Sequence, residues 1–369
     1  MNIDEQLKLI LKFGEGASFL SFANADGKRW LMPARHMRTA MNLYQPSGAK
    51  GKLVKRYLPW LYWNPVALRV LRAERMRLSL SDKFRLLLEH TFGERDLEFA
   101  VFCGTPSVHQ KITLQVSRGN RILGYVKVTE STEIYGIFEH EKKILDTLHD
   151  QGVANVPQCL YCGTLDCGAH VFIQTTIKTA HSKVVHEWTE LHSRFLDMLA
   201  LRTQKRLDFG DTDFCHDLDN LENRLHLLDD VEPLEKAIAE VRSRYTDKEV
   251  TFSAYQADFT PWNMFEEKGD LFVFDWEYAR LSYPPHLDFF HFKIQTAIFE
   301  EHLPAHKIYD RFTAEADTLN RLYSDSEFSF KCYLLSIISL YVSREKEAIT
   351  NTTRERISFW TELLKLLEN

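Results

Sequence analysis

The sequence predicts an α+β protein in which a small β-rich lobe precedes a larger, mainly helical lobe. Five short strand-like runs and one helical run lie between Leu97 and Lys178, whereas most of the chain after His186 has helical spacing of its apolar residues. The 369 residues are enough for two lobes that each bury a core. We therefore expect an N-terminal extension over residues 1–96, the β-rich lobe over 97–178 and the helical lobe over 179–369.

Composition excludes several classes of protein. The formal net charge of −6 argues against a general nucleic-acid-binding protein. No apolar run reaches the roughly 20 residues of a membrane-spanning helix, and the best candidate, Cys332 to Val342, is too short and contains two serines. The N-terminal residues lack the basic segment and apolar core of a secretory signal. We therefore expect a cytoplasmic protein.

The N-terminal extension is basic, aromatic and partly helical. Twelve Lys or Arg residues and a single acid, Glu74, lie between Lys28 and Arg77, with aromatic residues interleaved. One interpretation is a solvated helical face whose arginine side chains cover apolar neighbours, since Leu68 to Leu88 has helical spacing. The other is a surface that contacts an anionic membrane or holds an anionic substrate.

The β-rich lobe begins with a short apolar strand, Glu98 to Cys103, and a turn that starts at Gly104. Two strands, a helix and a final pair of strands complete it. The strands are predicted at Lys111–Ser117, at Ile122–Thr129 and twice within Val156–Thr176, and the helix at Ile137–Leu148.

The final strand pair contains four residues with the spacing of zinc ligands: Cys159, Cys162, Cys167 and His170. Alternatively, the cysteines are small residues of two strands joined by the turn Asp166-Cys167-Gly168. We favour the strands, because motifs of this kind often occur without a metal.

The helical lobe combines amphipathic helices with a few short strands. The helices are predicted at His186–Leu201, Leu218–Leu228 and Val231–Tyr245, and the strands at Thr251–Tyr255 and Leu271–Phe274. From His291 the chain has the pattern of several further helices, interrupted at Pro304 and near Ser324.

Three polar residues beside the short strands predict phosphoryl-transfer chemistry. Asp258 follows the first strand, Asn263 lies five residues later, and Asp275 lies twelve residues after Asn263 at the end of an apolar strand. An ionised carboxylate there is costly unless it is paired or bound to a metal, and amide and carboxylate oxygens suit Mg²⁺. The remaining carboxylate, that of Asp258, can accept the proton of an attacking hydroxyl.

A second set of residues in the β-rich lobe is suited to hold a nucleotide. Lys127 lies inside the apolar strand Ile122–Thr129, where a lysine needs a partner. Glu141 follows fourteen residues later on the predicted helix, and Glu139 is the alternative partner. A strand lysine that a helix glutamate orients toward phosphates is a kinase arrangement. A solubilising charge on an edge strand is the other explanation.

The order of these elements resembles the protein-kinase-like fold, and specifically the family of aminoglycoside phosphotransferases and choline kinases. The family's H-G-D-x-x-x-x-N loop is similar to Gln256–Asn263, its I-D-W-E strand to Phe274–Glu277, and its later Pro…Asp-Leu element to Pro284–Phe289. The resemblance covers roughly residues 97–292.

The resemblance implies a role for each matched residue. Asp258 would be the catalytic base, and Asn263 and Asp275 would be the magnesium ligands. Lys127 would contact the phosphates of ATP, or alternatively of GTP, and Glu141 would orient Lys127. The turn from Gly104 to His109 would cover the phosphates, and the hinge from Gln174 to Ile177 would meet the base of the nucleotide.

The chain departs from the family at Gln256 and Ala257, where the family has His and Gly. Gln256 can hydrogen-bond in place of the histidine, which is a scaffold for the loop rather than a reactant. Alanine is strained if the backbone there has a positive φ. The alternative function is therefore a catalytically impaired relative with a nucleotide-sensing or scaffolding role. A protein kinase is disfavoured, because no segment resembles an A-P-E activation segment.

The acceptor is the least determined part of the prediction. Carboxylates and aromatic rings near the motif would suit a cationic acceptor or a sugar, although the same residues could brace the loop. These candidate acceptor-binding residues are Glu277, Trp262 and Asp288, with Trp276 and Tyr278 beside them. The basic extension instead favours an anionic acceptor at a membrane surface, with peripheral contact through residues 28–77. We predict an ATP- and Mg²⁺-dependent kinase that phosphorylates a hydroxyl of a small molecule or glycan.

Overall fold

A computed structural model describes residues 3–46, 48–105, 110–246, 248–323, 325–345 and 348–368. The chain forms two compact units. The first contains Met1–Thr147, Asn155–Lys183 and Phe265–Phe272, and the second contains Leu148–Ala154, Val184–Met264 and Val273–Asn369. The β-rich character of the first unit and the helical character of the second confirm the predicted α+β class.

The strands within the described residues are β1 (Leu11–Ala23), β2 (Arg29–Pro33), β3 (Glu74–Leu80), β4 (Glu98–Phe102), β5 (Ile112–Arg118), β6 (Arg121–Thr129), β7 (Cys159–Thr164), β8 (His170–Thr175), β9 (Lys205–Asp208), β10 (Glu249–Tyr255), β11 (Met264–Glu267), β12 (Asp270–Val273) and β13 (Arg280–Tyr283). The helices are α1 (Ile3–Ile10), α2 (Met37–Ala40), α3 (Ala49–Leu61), α4 (Pro65–Leu71), α5 (Asp82–Phe92), α6 (Thr132–Asp150), α7 (Glu190–Thr203), α8 (Asp213–Glu222), α9 (Glu232–Tyr245), α10 (Leu287–Phe299), α11 (Ala305–Tyr323), α12 (Ser326–Arg344) and α13 (Asn351–Glu368).

The first unit is built on an eight-stranded sheet with strand order β3-β1-β2-β4-β5-β6-β8-β7. The five strands predicted after Leu97 are confirmed as β4 to β8, and β7 and β8 are the pair that carries Cys159 and His170. The sequence analysis predicted no strands before Glu98. The sheet nevertheless continues across this point, since Trp30 and Leu31 of β2 pair with Phe102 and Val101 of β4.

Alternation along the strands explains why this sheet is covered on both faces. In β2, Leu31 belongs to one apolar cluster, whereas Trp30 and Met32 belong to another. Successive strand residues point to opposite faces of a sheet. The first cluster includes residues of α1 and α5, and the second includes residues of α2, α3 and α4. The helices of the N-terminal residues therefore pack on the same sheet as β4 to β8.

The second unit is organised around α12, which contacts α8, α9, α10, α11 and α13. Tyr333, Leu334 and Leu335 in its middle are fully buried, as expected for a helix that is apolar on all sides. The helices predicted at His186–Leu201 and Val231–Tyr245 are confirmed as α7 and α9, whereas the helix predicted at Leu218–Leu228 is only partly right, because α8 begins at Asp213 and ends at Glu222. No helix among the described residues has both the length and the apolar character needed to cross a bilayer.

Candidate active site

The site in the second unit is built on the loop that follows β10. Asp288, in the first turn of α10, is 2% exposed. Its Oδ2 accepts the N–H of Gln256 at 2.8 Å, and its Oδ1 accepts the N–H of Ala257 at 3.1 Å. This buried position favours the bracing role of Asp288 over contact with an acceptor. Burial raises the pKa of Asp288 to about 7, although the two backbone donors oppose the shift.

Ala257 has the positive φ at which an alanine is expected to be strained. Its φ is +69°, in the left-handed region that carries a steric cost for any residue with a Cβ. The two hydrogen bonds to Asp288 fix two successive peptide groups, those that carry the N–H of Gln256 and the N–H of Ala257. Alanine is therefore held at this position by its surroundings.

The side chain of Gln256 makes a set of buried hydrogen bonds. Its Nε2 donates to the carbonyl oxygens of Phe274 at 3.2 Å and Asp275 at 2.8 Å, and its Oε1 accepts the N–H of Asp258 at 2.8 Å. The residue is fully buried. One side chain thus joins the loop that carries Asp258 to the segment that carries Asp275, and the expectation that Gln256 can hydrogen-bond here is confirmed.

Asp258 and Asn263 lie side by side in this loop. The Asn263 Nδ2 donates to the Asp258 carboxylate Oδ2 at 2.7 Å and to the Asp258 carbonyl oxygen at 3.0 Å. With its amide nitrogen committed to Asp258, Asn263 keeps its amide oxygen as the atom suited to ligate a cation. The Asn263 carbonyl oxygen also accepts the N–H of Phe274 at 3.0 Å, which brings the two segments together again.

Asp275 and Glu277 place two carboxylates at the end of β12. A carboxylate oxygen of one lies within 4.8 Å of a carboxylate oxygen of the other. The intervening Trp276 is fully buried and donates from Nε1 to the Val273 carbonyl oxygen at 3.0 Å, which anchors the segment. Two carboxylates and an amide oxygen form a hard donor set that fits Mg²⁺. Glu277, predicted as an acceptor contact, is therefore also a candidate metal ligand.

His291 is a candidate functional residue that the sequence analysis missed. It is 2% exposed, and its Nε2 lies 3.4 Å from Oδ1 of Asp258. Neither ring nitrogen has a hydrogen-bond partner within the described part of the chain. His291 follows Asp288 by three residues on α10, so the two share a helix face toward the Asp258 loop. That spacing is the signal that could have identified it.

A cavity of about 310 Å³ opens beside Asp258 and His291. This volume is at the lower end of the range for small-molecule pockets. Its lining comprises Ala257, Asp258, Trp262, Tyr278, His291, Gln295, Phe299, Ile337, Leu340, Tyr341, Arg344 and Arg356. Trp262 and Tyr278 therefore face the cavity as candidate acceptor contacts, whereas Trp276 and Asp288 are buried elsewhere.

The first unit contains the predicted lysine–glutamate pair. The Nζ of Lys127 lies 2.7 Å from a carboxylate oxygen of Glu141, and the two residues are 6% and 0% exposed. Lys127 belongs to β6, which lies between β5 and β8. The explanation as a solubilising charge on an edge strand is therefore wrong. Glu139, the alternative partner, is exposed.

Gly104 and Gln174 also lie in the first unit. Gly104 has φ +78°, and a Cβ there would lie 2.4 Å from the carbonyl oxygen of Lys111, so only glycine fits. The predicted phosphate-covering turn falls partly on residues 106–109, which lie outside the described residues. Gln174 of β8 is 4% exposed, and its Oε1 has no hydrogen-bond partner in the described part of the chain.

Comparison with known proteins identifies structural relatives only. No family model matches the chain, and no curated protein matches its sequence. The similar solved structures include small-molecule kinases. A thermostable mutant of aminoglycoside phosphotransferase APH(4)-Ia, in apo form, is 12% identical, with a TM-score of 0.49 over 77% of this chain and 98% of that chain.

Two further solved structures are similar to the chain. A putative fructosamine-3-kinase from Haemophilus somnus is 12% identical, with a TM-score of 0.43 over 77% of this chain and 96% of that chain. Amicoumacin kinase in complex with AMP-PNP, Ca²⁺ and Ami is 9% identical, with a TM-score of 0.41 over 77% of this chain and 93% of that chain.

Proposed function

We propose that the protein transfers the γ-phosphoryl group of a nucleoside triphosphate to a hydroxyl of a small molecule or glycan. The observation that carries the proposal is the Gln256 side chain, which joins the loop of Asp258 and Asn263 to the segment of Asp275. The Gln256 side chain thereby fixes the Asp258 carboxylate, which lies beside the cavity, relative to the oxygen donors that could bind Mg²⁺. Phosphoryl transfer needs such positioning more than it needs covalent chemistry.

Asp258 is proposed as the base. Its side chain is 34% exposed, and it lines the cavity. The Asn263 amide fixes Oδ2, so the acceptor hydroxyl would donate its hydrogen bond to Oδ1. As the oxygen of the acceptor bonds to the γ-phosphorus, the bond from that phosphorus to the β–γ bridging oxygen breaks, the nucleoside diphosphate leaves, and the proton of the acceptor hydroxyl passes to Asp258. The neighbouring His291 limits the orientations open to the carboxylate.

Asn263, Asp275 and Glu277 are proposed to hold magnesium. Bound magnesium would neutralise charge on the nucleotide phosphates. The chain's own contribution is to fix these donors, through the backbone bond from Phe274 to Asn263 and through Gln256.

Lys127 is proposed to contact the nucleotide phosphates. Because Lys127 is almost fully buried against Glu141, its ammonium group is held in one position. Such a fixed charge stabilises the phosphate oxygens without the cost of ordering a mobile side chain. Gly104 and Gln174 are proposed to lie near the same nucleotide, and ATP is the preferred donor.

The test is transfer of labelled γ-phosphate from ATP, with Mg²⁺, to a panel of neutral, cationic and anionic hydroxyl compounds. We expect transfer to at least one class, and its loss in Asp258→Asn with ATP affinity retained. Ala257 at φ +69° favours a second candidate, a catalytically impaired nucleotide sensor. Magnesium-dependent ATP binding with no transfer to any acceptor would support the sensor and contradict the kinase.

We also propose that helices α3 and α4 of the N-terminal extension contact an anionic membrane. Large apolar side chains are exposed along both helices and their connection: Trp60 at 61%, Trp63 at 63% and Val70 at 81%, with Leu53, Tyr57, Leu61 and Val66 nearby. Lysines and arginines are interleaved, and no acid occurs between Lys28 and Ala73. Aromatic and basic residues together favour anionic lipid surfaces.

Vesicle flotation tests this contact. We expect the protein to float with vesicles of phosphatidylserine and phosphatidylcholine and not with phosphatidylcholine alone. The double variant Trp60→Ser, Trp63→Ser should lose most of the binding. Leu201→Ser is the matched control, because Leu201 is 67% exposed on α7 in the second unit. Absence of binding to either vesicle would exclude the membrane contact.

A further inference from the structure

The cavity beside Asp258 is lined by two arginines, Arg344 and Arg356, that form no ion pair with a carboxylate of the described part of the chain. Within the described residues, neither Arg344 nor Arg356 has a carboxylate oxygen within 4.0 Å. Other arginines of the same unit behave differently: Arg242, Arg244 and Arg280 each pair with a carboxylate. Arginines are usually paired when they are partly buried. The two cavity arginines therefore have charge and donors left for a ligand.

The two guanidinium groups converge on one tyrosine. The Cζ of Arg344 lies 5.0 Å from the centre of the Tyr341 ring and 3.9 Å from that of Tyr278. The Cζ of Arg356 lies 5.7 Å from the Tyr341 ring centre, and its Nη1 donates to the Tyr341 hydroxyl at 3.4 Å. Stacking on aromatic rings holds both groups in place. Two positive charges near one ring repel each other, and an anion between them relieves that repulsion.

One N–H donor of the two cavity arginines is buried and makes no hydrogen bond to the described part of the chain. The Nε of Arg344 is inaccessible to solvent and has no hydrogen-bond partner in the described part of the chain. An unsatisfied buried donor costs free energy, so a ligand atom that accepts this N–H would be favourable. Planar anions accept two parallel N–H bonds from one guanidinium: the two Nη groups form one donor edge, and a shift of the Arg344 side chain would expose the other edge, which includes Nε.

The charge of the cavity distinguishes among acceptor classes. Among the described residues that line the cavity, Asp258 is the one carboxylate, against two arginines, and the aromatic rings include those of Trp262 and Phe299. A cationic acceptor would meet two guanidinium groups. A hydroxyl compound with an anionic group would place the anion on the arginines and the hydroxyl toward Asp258.

We propose that the acceptor is a hydroxyl compound that carries a carboxylate or phosphate group, bound by Arg344 and Arg356. The proposal rests on the phosphotransferase function proposed above. The proposal favours an anionic acceptor over a cationic one, whereas the sequence alone is compatible with both.

Titration calorimetry with four probes tests the anion site. D-glucuronate and D-glucose 6-phosphate carry the two anions, D-glucose is the neutral counterpart, and D-glucosamine is the cationic one. We expect at least one anion to bind at least 10-fold more tightly than glucose, and glucosamine to bind more weakly than either anion. The tighter of the two anions identifies whether carboxylate or phosphate is recognised.

Variants locate the binding. Arg344→Gln and Arg356→Gln should each weaken anion binding by about 10-fold to 100-fold, as expected for a hydrogen bond to a charged group, and leave glucose binding unchanged. Arg344→Lys and Arg356→Lys should retain part of the preference, because the charge remains and the planar fork is lost. Arg206→Gln is the matched control, since Arg206 is 69% exposed and pairs with Glu249.

Transfer from labelled ATP to the same probes separates the two proposals. The proposed anion site is refuted if neither anion binds more tightly than glucose, or if the glutamine variants bind anions as tightly as the wild type does. This conclusion holds whether or not phosphoryl transfer occurs. If anion binding depends on the arginines and no compound is phosphorylated, the anion site stands and the kinase function fails. Phosphorylation of glucosamine in preference to both anions would also overturn the anion site.

Discussion

Gln256 gives the sharpest prediction about the site, because a single buried side chain makes three hydrogen bonds across it. In Gln256→Met the side chain keeps its length and loses all three partners: the carbonyl oxygens of Phe274 and Asp275 and the N–H of Asp258. Each buried hydrogen bond contributes about 1 kcal/mol. We therefore expect the free energy of unfolding to fall by about 3 kcal/mol.

Urea unfolding, followed by tryptophan fluorescence and far-UV circular dichroism, measures this change. Gln204→Ala is the control, since Gln204 is exposed at the end of α7, and it should change stability by less than about 0.5 kcal/mol. Gln256→Glu keeps the shape and one acceptor, but turns two donor contacts into contacts between oxygens. It should therefore destabilise the protein at least as much as Gln256→Met at neutral pH.

Gln256→Met should lower the turnover rate more than it lowers the affinity for the nucleotide. Displacement of the Asp258 loop by about 1 Å can cost roughly 100-fold in rate, while Lys127 and Glu141 lie in the other unit. We expect kcat to fall by that order and the affinity for ATP to change little. A loss of stability below about 1 kcal/mol, together with normal turnover, would refute the reasoning that Gln256 holds the site together.

Three further predictions concern Lys127, Asp275 and Asp288. Lys127→Met removes the lysine from Glu141, and loss of one partner of a buried pair should lower the free energy of unfolding by roughly 3–5 kcal/mol in urea titrations; a loss below about 1 kcal/mol would contradict the pair's importance. Asp275→Ala should abolish the magnesium-dependent part of ATP binding, which calorimetry with Mg²⁺ and with EDTA measures. If the magnesium dependence were unchanged, Asp275 would be excluded as a magnesium ligand. Because burial raises the pKa of Asp288 to about 7, the fold favours its neutral form. The stability from this group is complete below its ordinary pKa near 4 and is lost as the pH rises through 7. Relative to Asp288→Asn, the wild type should lose about 4 kcal/mol of unfolding free energy between pH 4 and pH 8. If the unfolding free energies of the two proteins changed in parallel with pH, the raised pKa of Asp288 would be disproved.

The parts of the molecule that the sequence predicts depend on local spacing. Lys127 and Glu141 belong to a strand and the helix that directly follows it, so their separation in sequence already limits their distance. Asp258 and Asn263 occupy one loop, and their contact follows from the same argument. Strands β4 to β8 are short and apolar and are bounded by turn residues.

The parts that the sequence does not predict depend on contacts between distant segments. Strand β1 includes exposed residues around Gly14 and Gly16 and a register shift against β3, which hides its alternation. His291, Arg344 and Arg356 come from three different helices, and nothing in their local sequence brings them to one cavity. The role of Asp288 depends on its burial, which a first-turn acidic residue does not reveal by itself.

The most direct test of the central claim is a transfer assay that compares the wild type with Asp258→Asn at saturating ATP and Mg²⁺. Asparagine keeps the size of the side chain and cannot accept a proton at neutral pH. We predict that the wild type phosphorylates an anionic hydroxyl compound, and that the variant loses at least about 100-fold in kcat while ATP affinity changes less than about twofold. Equal turnover by the two proteins would contradict the account.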